Sequence, residues 1–436
     1  MSSVAGRNQP RRDMAVPFER RGVESFPGTK HISPAEKSKH PMDLYRIATV
    51  ASCAERVLPC AHRPAVVSNP PKSNKGLLRM DRNPILFRCD ADATQGWENL
   101  HQTVTYASSC QRQRRPIHIM GRIEPFPLIA QVARNGNDYL IAKHPAGTSE
   151  DCDDTIRAVR KLKAAAVVVA GDDIQEEYLR ELASTGTTVV SLTSSNAIRF
   201  PSRVVINPLL EPGIREYDIE RGTQLCVGRR YAIVRGIYRR QRAIRPIDPQ
   251  GPFRCILAFG DDDFAGQTLQ RANEMLNGSR VEKVSAFVRF HHPDMAALKE
   301  LASNSGGRFE VLTEINEWAT RMTKAQFAVT GGCPWSLELA CVGVPQLVIN
   351  ASDKHLANGK RLDEEGAAIF LGQAKKVSEL ALREAANALL DDPLDRAGMT
   401  RCGRNLIDGR GPDRMVAALE IMLHSHVHAK PLRIAA

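Results

Sequence analysis

Between Ala165 and Gly171 the chain reads AAVVVAG, an apolar run with no polar residue alternating through it. A strand with one wet face would alternate apolar and polar side chains. An unbroken run of this length, ended by glycine, is the signature of a strand covered on both faces, as in a parallel sheet. That places the chain among α/β proteins. The flanking sequence agrees. Short apolar runs (ILFRC, RPIHIMG, DYLIAK, TTVVSLT, RVVIN) alternate with segments of helical spacing such as HQTVTYASSCQRQ, PFPLIAQVARNG, EDCDDTIRAVRKLKA and QEEYLRELASTG. This is the pattern of a doubly wound parallel sheet.

A passage rich in proline and arginine, RRQRAIRPIDPQGPF (Arg239 to Phe253), interrupts the alternation and reads as an interdomain linker. A second series follows, from the strand RCILAFG to FAVTGG, SLELACVG and PQLVI, with helices to the C-terminus. The fold expected is α/β: two Rossmann-like doubly wound domains facing a cleft, over residues 83–247 and 248–426. A basic segment over 1–82, expected to be disordered, precedes them, and a flexible tail over 427–436 follows. MDRNPILFRCDAD resembles a domain start, so Met80 stands as an alternative initiation site.

The formal charge of +11 is unevenly spread. Residues 1–82 hold about 15 Lys and Arg against about 7 Asp and Glu, so the remainder is only about +3. No aromatic and basic interleaving of the kind that grips nucleic acid occurs beyond residue 82, so a nucleic-acid partner is not expected. The 10 cysteines show no C-x-x-C spacing, which argues against a zinc site and for buried thiols in a reducing cytoplasm. No run of 18 apolar residues is present, so no integral membrane segment is expected, and peripheral membrane association is left open.

Ligands of such sheets bind beyond the carboxyl ends of the strands. This directs attention to the loops after Cys89, Gly260, Thr330 and Ile349. In AVTGGCPWSLELACVGVPQLVI, Gly331 and Gly332 end a strand and Pro334 suits a first helical turn. Backbone N–H groups there would attract a phosphate, and Glu338 lies early enough in the helix to reach a ribose hydroxyl pair. At the first strand end Gly96 marks a turn, and Trp97 is placed to stack on a base or sugar ring. Adjacent His291 and His292 lack the carboxylate spacing of a metal site. No metal and no cofactor are expected.

Four motifs in register resemble a family. Arg88 and Asp90 match an R-x-D at the first strand end. Gly228, Tyr231, Ala232, Val234 and Arg235 match a G-x-x-Y-A-x-L-R segment. LAFGDDD matches a strand followed by Gly-Gly-Ser-Asp, with Gly260 first in the loop, and TGGCPWSLELACVGVP matches a glycine-rich loop and nucleotide-binding helix. Together they resemble the UDP-sugar hydrolase of the pseudaminic-acid pathway and related spore-coat polysaccharide proteins, of the metal-independent GT-B fold. The resemblance covers roughly residues 84–425. It implies a UDP-sugar ligand, substrate contacts from Gly96, Tyr231, Arg235 and Asp353, and a role in glycan biosynthesis.

The departures concentrate in the site. The family's catalytic histidine aligns with Asn99, its second glycine with Glu98, and an arginine with Gln102. Its Asp-Asn-Gln aligns with Asp353, Lys354 and His355, and Gly-Gly-Ser-Asp becomes Gly260, Asp261, Asp262 and Asp263. An amide has no useful pKa, so Asn99 cannot act as a general acid or base. Glu98 and Asn99 are expected to face Lys354 and His355 across the cleft, with the acid–base role moved to the second domain. Asp90, Glu98, Asn99, Lys354 and His355 are therefore the candidate catalytic residues. Two functions follow: a hydrolase or glycosyltransferase acting on a nucleotide sugar, or an inactive relative that binds one.

Overall fold

A computed structural model describes residues 82–260, 263, 266–278 and 280–428, with side chains through 424. The basic segment with its alternative start at Met80, the tail beyond 428, and Asp261 and Asp262 lie outside the described residues.

The first half runs β1 (Ile85–Cys89), α1 (Glu98–Arg112), β2 (Ile117–Gly121), α2 (Phe126–Arg134), β3 (Asp138–Ile141), α3 (Ser149–Leu162), β4 (Ala166–Ala170), α4 (Glu176–Ser184) and β5 (Thr188–Leu192). Short strands follow: β6 (Arg199–Phe200), β7 (Val204–Ile206), β8 (Asp218–Ile219) and β9 (Gln224–Cys226). Seven strands form a parallel sheet in the order β3-β2-β1-β4-β5-β7-β9, while β6 and β8 pair apart. The run AAVVVAG contains β4, hydrogen-bonded to β1 and β5 with Val168 opposite Phe87 and Val190. Ala166, Val168 and Ala170 enter the core beneath α1 and α2. Val167 and Val169 enter the core beneath α3 and α4. Both faces are covered, so no position in the strand is polar.

The second half runs α5 (Gly236–Ile244), β10 (Arg254–Ala258), α6 (Gln267–Gly278), β11 (Lys283–Phe287), α7 (Met295–Asn304), β12 (Phe309–Leu312), α8 (Ile315–Met322), β13 (Phe327–Thr330), α9 (Pro334–Val342) and β14 (Gln346–Asn350). Then come α10 (Leu356–Glu364), β15 (Ala368–Gln373), α11 (Glu379–Asp391), α12 (Pro393–Leu406) and α13 (Gly411–His428). Its six strands are parallel, in the order β12-β11-β10-β13-β14-β15. The doubly wound pair expected from the sequence is the observed architecture.

Two segments are tied closely to their surroundings. The arginine- and proline-rich stretch, expected to link the domains, is itself packed. Tyr238 of α5 is buried in the second core, and Arg245 donates to the carbonyls of Met322 and Ala325 at 3.1 and 2.8 Å. Arg242 caps the carbonyls of Arg404 and Ile407 at 2.6 and 3.0 Å. These two arginines are spent on carbonyls at or just past helix ends, where a cation is favoured. The last helix also leaves the second half. Met415 and Leu419 are buried in the first core, and Arg115 forks onto Glu420 at 2.6 and 2.8 Å. Gly411 permits the return, since a Cβ there would stand 2.1 Å from the Ala232 carbonyl oxygen.

Candidate functional site

Strand order reverses between β1 and β4 in the first sheet and between β10 and β13 in the second. The loops leaving those strands part there and open a crevice at each sheet's carboxyl edge. The loop after β1 is held rigidly. The buried Arg88 guanidinium pairs with Asp90 and, at 2.8 Å, with Asp151. Asp90 also accepts from the N–H groups of Arg122 and Ala146, both at 2.8 Å. Its carboxylate thus ties together the loops after β1, β2 and β3, which makes it a positioning group. Asp92 then accepts from the N–H groups of Thr94 and Gln95 at 2.7 and 2.9 Å, and Gly96, at φ +80°, closes the turn. This turn sets Glu98 and Asn99 in the first turn of α1.

Trp97 does not present a free ring to a ligand. It is 6 % exposed, its indole N–H donates to the Glu124 carbonyl at 2.6 Å, and its ring lies 4.1 Å from that of His291. Its apolar area is better used joining the two halves than left in water. His292 accepts from the Asp294 N–H at 3.1 Å, so this histidine pair serves structure.

Glu98 meets the turn Asp353–His355, which follows β14. His355 Nε2 lies 2.9 Å from one Glu98 oxygen, and Lys354 Nζ lies 3.3 Å from the other. Lys354 Nζ also lies 3.1 Å from Asp172, in the loop after β4. Glu98 and His355 are 6 % and 7 % exposed. A cavity of about 660 Å³ opens beside this cluster, walled by Asp90, Asn99, Asp172, Ser194, Ser195 and Lys354. Asp172 is held by the Thr193 hydroxyl and the Ser194 N–H at 2.9 and 2.7 Å. Burial alone would raise the Asp172 carboxyl, but Lys354 and these donors outweigh it and hold it below its ordinary value.

Burial would likewise raise the Glu98 carboxyl, and the charges of His355 and Lys354 override it, so Glu98 also lies below its ordinary value. A carboxyl depressed in the folded state contributes stability that is complete above its unfolded pKa, about 4.3. That contribution is lost as pH falls through the folded value. Denaturant titrations across the acid range should therefore show wild-type stability falling more steeply below about pH 4.3 than that of Glu98→Gln. Parallel acid limbs would mean that Glu98 is not held by its partners.

The glycine-rich loop after β13 is buried. Gly332 has φ +78°, and a Cβ there would stand 3.1 Å from Gly359 Cα and 3.2 Å from the His355 carbonyl oxygen. Gly332 thus lets the loop lie directly against the turn that carries Lys354 and His355. Gly331 accepts from the Asn350 side chain at 3.2 Å. Glu338, expected at a ribose, receives a fork from Arg235, with the guanidinium Nε at 2.8 Å and the backbone N–H at 3.2 Å. In this arrangement both charges are directed at each other. Asp263 accepts from the N–H groups of Gln267 and Thr268 at 2.9 and 2.7 Å and so caps α6. Gly260, at φ +106°, packs against Cys333. Tyr231 packs partly buried against the first core, and Asp353 is exposed with a long bond from Gln373 (3.5 Å).

The structure adds Asp172, Ser194 and Ser195 to the residues named from the sequence. The signal was present as GDD directly after the AVVVA strand, at the topological switch point. No helix among the described residues is long and apolar enough to cross a membrane.

No family model matches the chain. A segment of 120 residues, 28 % of the chain, is 27 % identical to the spore coat polysaccharide biosynthesis protein SpsG of Bacillus subtilis strain 168. The match spans about a third (35 %) of that protein's length. Among solved structures, MurG of Acinetobacter baumannii superposes with a TM-score of 0.53 at 13 % identity, covering 78 % of this chain and 100 % of that one. The UDP-GlcNAc 2-epimerase of Neisseria meningitidis, bound to UDP-GlcNAc, gives 0.53 at 9 % identity with the same coverage of each. The calicheamicin glycosyltransferase CalG4 gives 0.55 at 14 %, covering 79 % and 99 %. These likenesses establish the fold, the two-domain GT-B architecture.

Proposed function

We propose that the chain processes a nucleotide-activated sugar, most simply a UDP-sugar, in the biosynthesis of a surface polysaccharide or glycan. One observation carries the reading. Lys354 and His355, from the second half, reach the buried Glu98 of the first half beside a cavity of about 660 Å³ at the switch point. Cavities of this size suit a ligand of drug or nucleotide-sugar dimensions. The partial match to SpsG and the likeness to a UDP-GlcNAc-bound epimerase support the ligand class.

Reaction at an anomeric carbon breaks its bond to the diphosphate and forms one to an acceptor oxygen. The acceptor, water in hydrolysis or a sugar hydroxyl in transfer, must lose a proton, and the departing diphosphate gains negative charge. In this reading Lys354 supplies positive charge at the diphosphate, without a metal ion. His355, oriented through Nε2 by Glu98, takes the proton. Asn99, Asp172 and Ser194 hold sugar hydroxyls. Asp90 and Gly96 keep the first loop in place, and Arg235 with Glu338 braces the nucleotide helix.

The second reading is a relative that binds the ligand without turnover, favoured by the amide of Asn99 standing where the resembling family keeps its histidine. Thermal unfolding against UDP, GDP, CMP and their sugars tests both. A ligand at 100 times its Kd should add about 2.7 kcal/mol. No shift with any of them sinks the nucleotide-sugar reading. A shift without products from the bound sugar selects the binding protein.

A further inference from the structure

A second cavity, of about 270 Å³, shares no wall residue with the first. It lies where α1, α2 and the first turn of α13 meet the start of α5. Arg112, in the last turn of α1, donates to one oxygen of Asp413 at 2.9 Å, and Arg239, in α5, donates to the other at 2.9 Å. Two guanidinium groups thus share one carboxylate, and the cluster keeps a net positive charge. All three side chains are about half exposed, at 59 %, 48 % and 48 % for Arg112, Arg239 and Asp413. Arg235, also on the wall, is matched by Glu338. The first turns of α5 and α13 border the space, and so do the last turns of α1 and α2, so the helix dipoles offset one another and the two arginines supply the charge.

The rest of the wall is polar in a different way. Thr105 and Ser108 donate their hydroxyl protons to the carbonyls of His101 and Val104, each at 2.8 Å. Their oxygens keep lone pairs that can accept from a ligand's O–H groups. Arginine forks for an oxyanion beside hydroxyl acceptors for a polyol match a sugar phosphate. The volume is enough for a hexose monophosphate.

We propose that this cavity is a second binding site, for a small phosphorylated sugar whose phosphate lies between Arg112 and Arg239 and displaces Asp413. Asp413 then acts as an internal occupant that the ligand must compete with. The site joins the far end of α1, the helix that begins at Glu98, to α5 of the second half. A bound phosphate therefore braces the two halves against each other.

Unfolding midpoints of the full chain, read at constant ionic strength against inorganic phosphate and glucose 1-phosphate, test this. Wild type should show a saturable rise with both, and glucose 1-phosphate should bind more tightly. Arg112→Gln with Arg239→Gln should weaken the apparent affinity at least tenfold. Asp413→Asn, which frees both arginines, should tighten it several-fold. Lys354→Ala should leave the response in place. An equal response in wild type and the double variant overturns the site, as does no saturable rise with either ligand. Loss of the response in Lys354→Ala would assign the anion to the larger cavity and equally overturn it. Equal affinity for the two ligands overturns the sugar part of the assignment.

Discussion

Arg88→Met is expected to cost about 3–5 kcal/mol of folding stability, the range for breaking a buried ion pair from one side. Arg88 is fully buried and serves Asp90 and Asp151, both also buried. A methionine fills most of the space but strands two carboxylates away from water. Tyr178 donates to Asp151 at 2.7 Å and softens that loss, while Asp90 keeps only backbone donors. For a folded body of this size, at about 1.4 °C per kcal/mol, the unfolding midpoint should fall by about 4–7 °C. The variant Arg88→Met with Asp90→Asn removes one stranded charge and should recover part of the loss. A drop of less than about 1 kcal/mol for the single variant would mean that the cluster is hydrated. Because Asp90 ties three loops at the cavity, the single variant should also weaken any ligand-induced stabilisation.

The second large effect is on turnover. With whichever nucleotide sugar stabilises the protein, Lys354→Ala with His355→Ala should lower kcat by about 10²–10⁴, the usual worth of a positioned acid–base group. Stabilisation by the nucleotide alone should survive. Single variants separate the two roles. Lys354→Ala should fall alike with every acceptor, because it acts on the leaving diphosphate. His355→Ala should lower kcat with KM little changed, and least with the most acidic acceptors, because it takes the acceptor's proton. Full activity in the double variant would remove the assignment and return attention to Asp172 as the group that takes the proton.

Much of the architecture was legible along the chain because its physical cause is local. A strand covered on both faces must be apolar throughout, so AAVVVAG announces a parallel sheet without any partner being known. Gly96 and Gly332 were legible as turns for a comparable reason, since positive φ excludes most side chains. Asp172 carries no such local mark, because two aspartates after a glycine resemble an ordinary surface turn. Trp97 was expected at a ligand, and its burial against His291 depends on a residue 194 positions away. Arg242 and Arg245 resemble part of a solvated linker in one dimension. Only packing supplies the carbonyls that they cap.

The sequence by itself determined the α/β class, the two parallel sheets and the loops where chemistry can occur, because periodicity and glycine act over a few residues. Tertiary structure alone decided which charges meet: Glu98 with Lys354 and His355, Arg235 with Glu338, Arg88 with Asp151, and the return of α13 to the first core. Coulomb energy depends on distance in space and on burial, and neither is written in the spacing of residues along the chain.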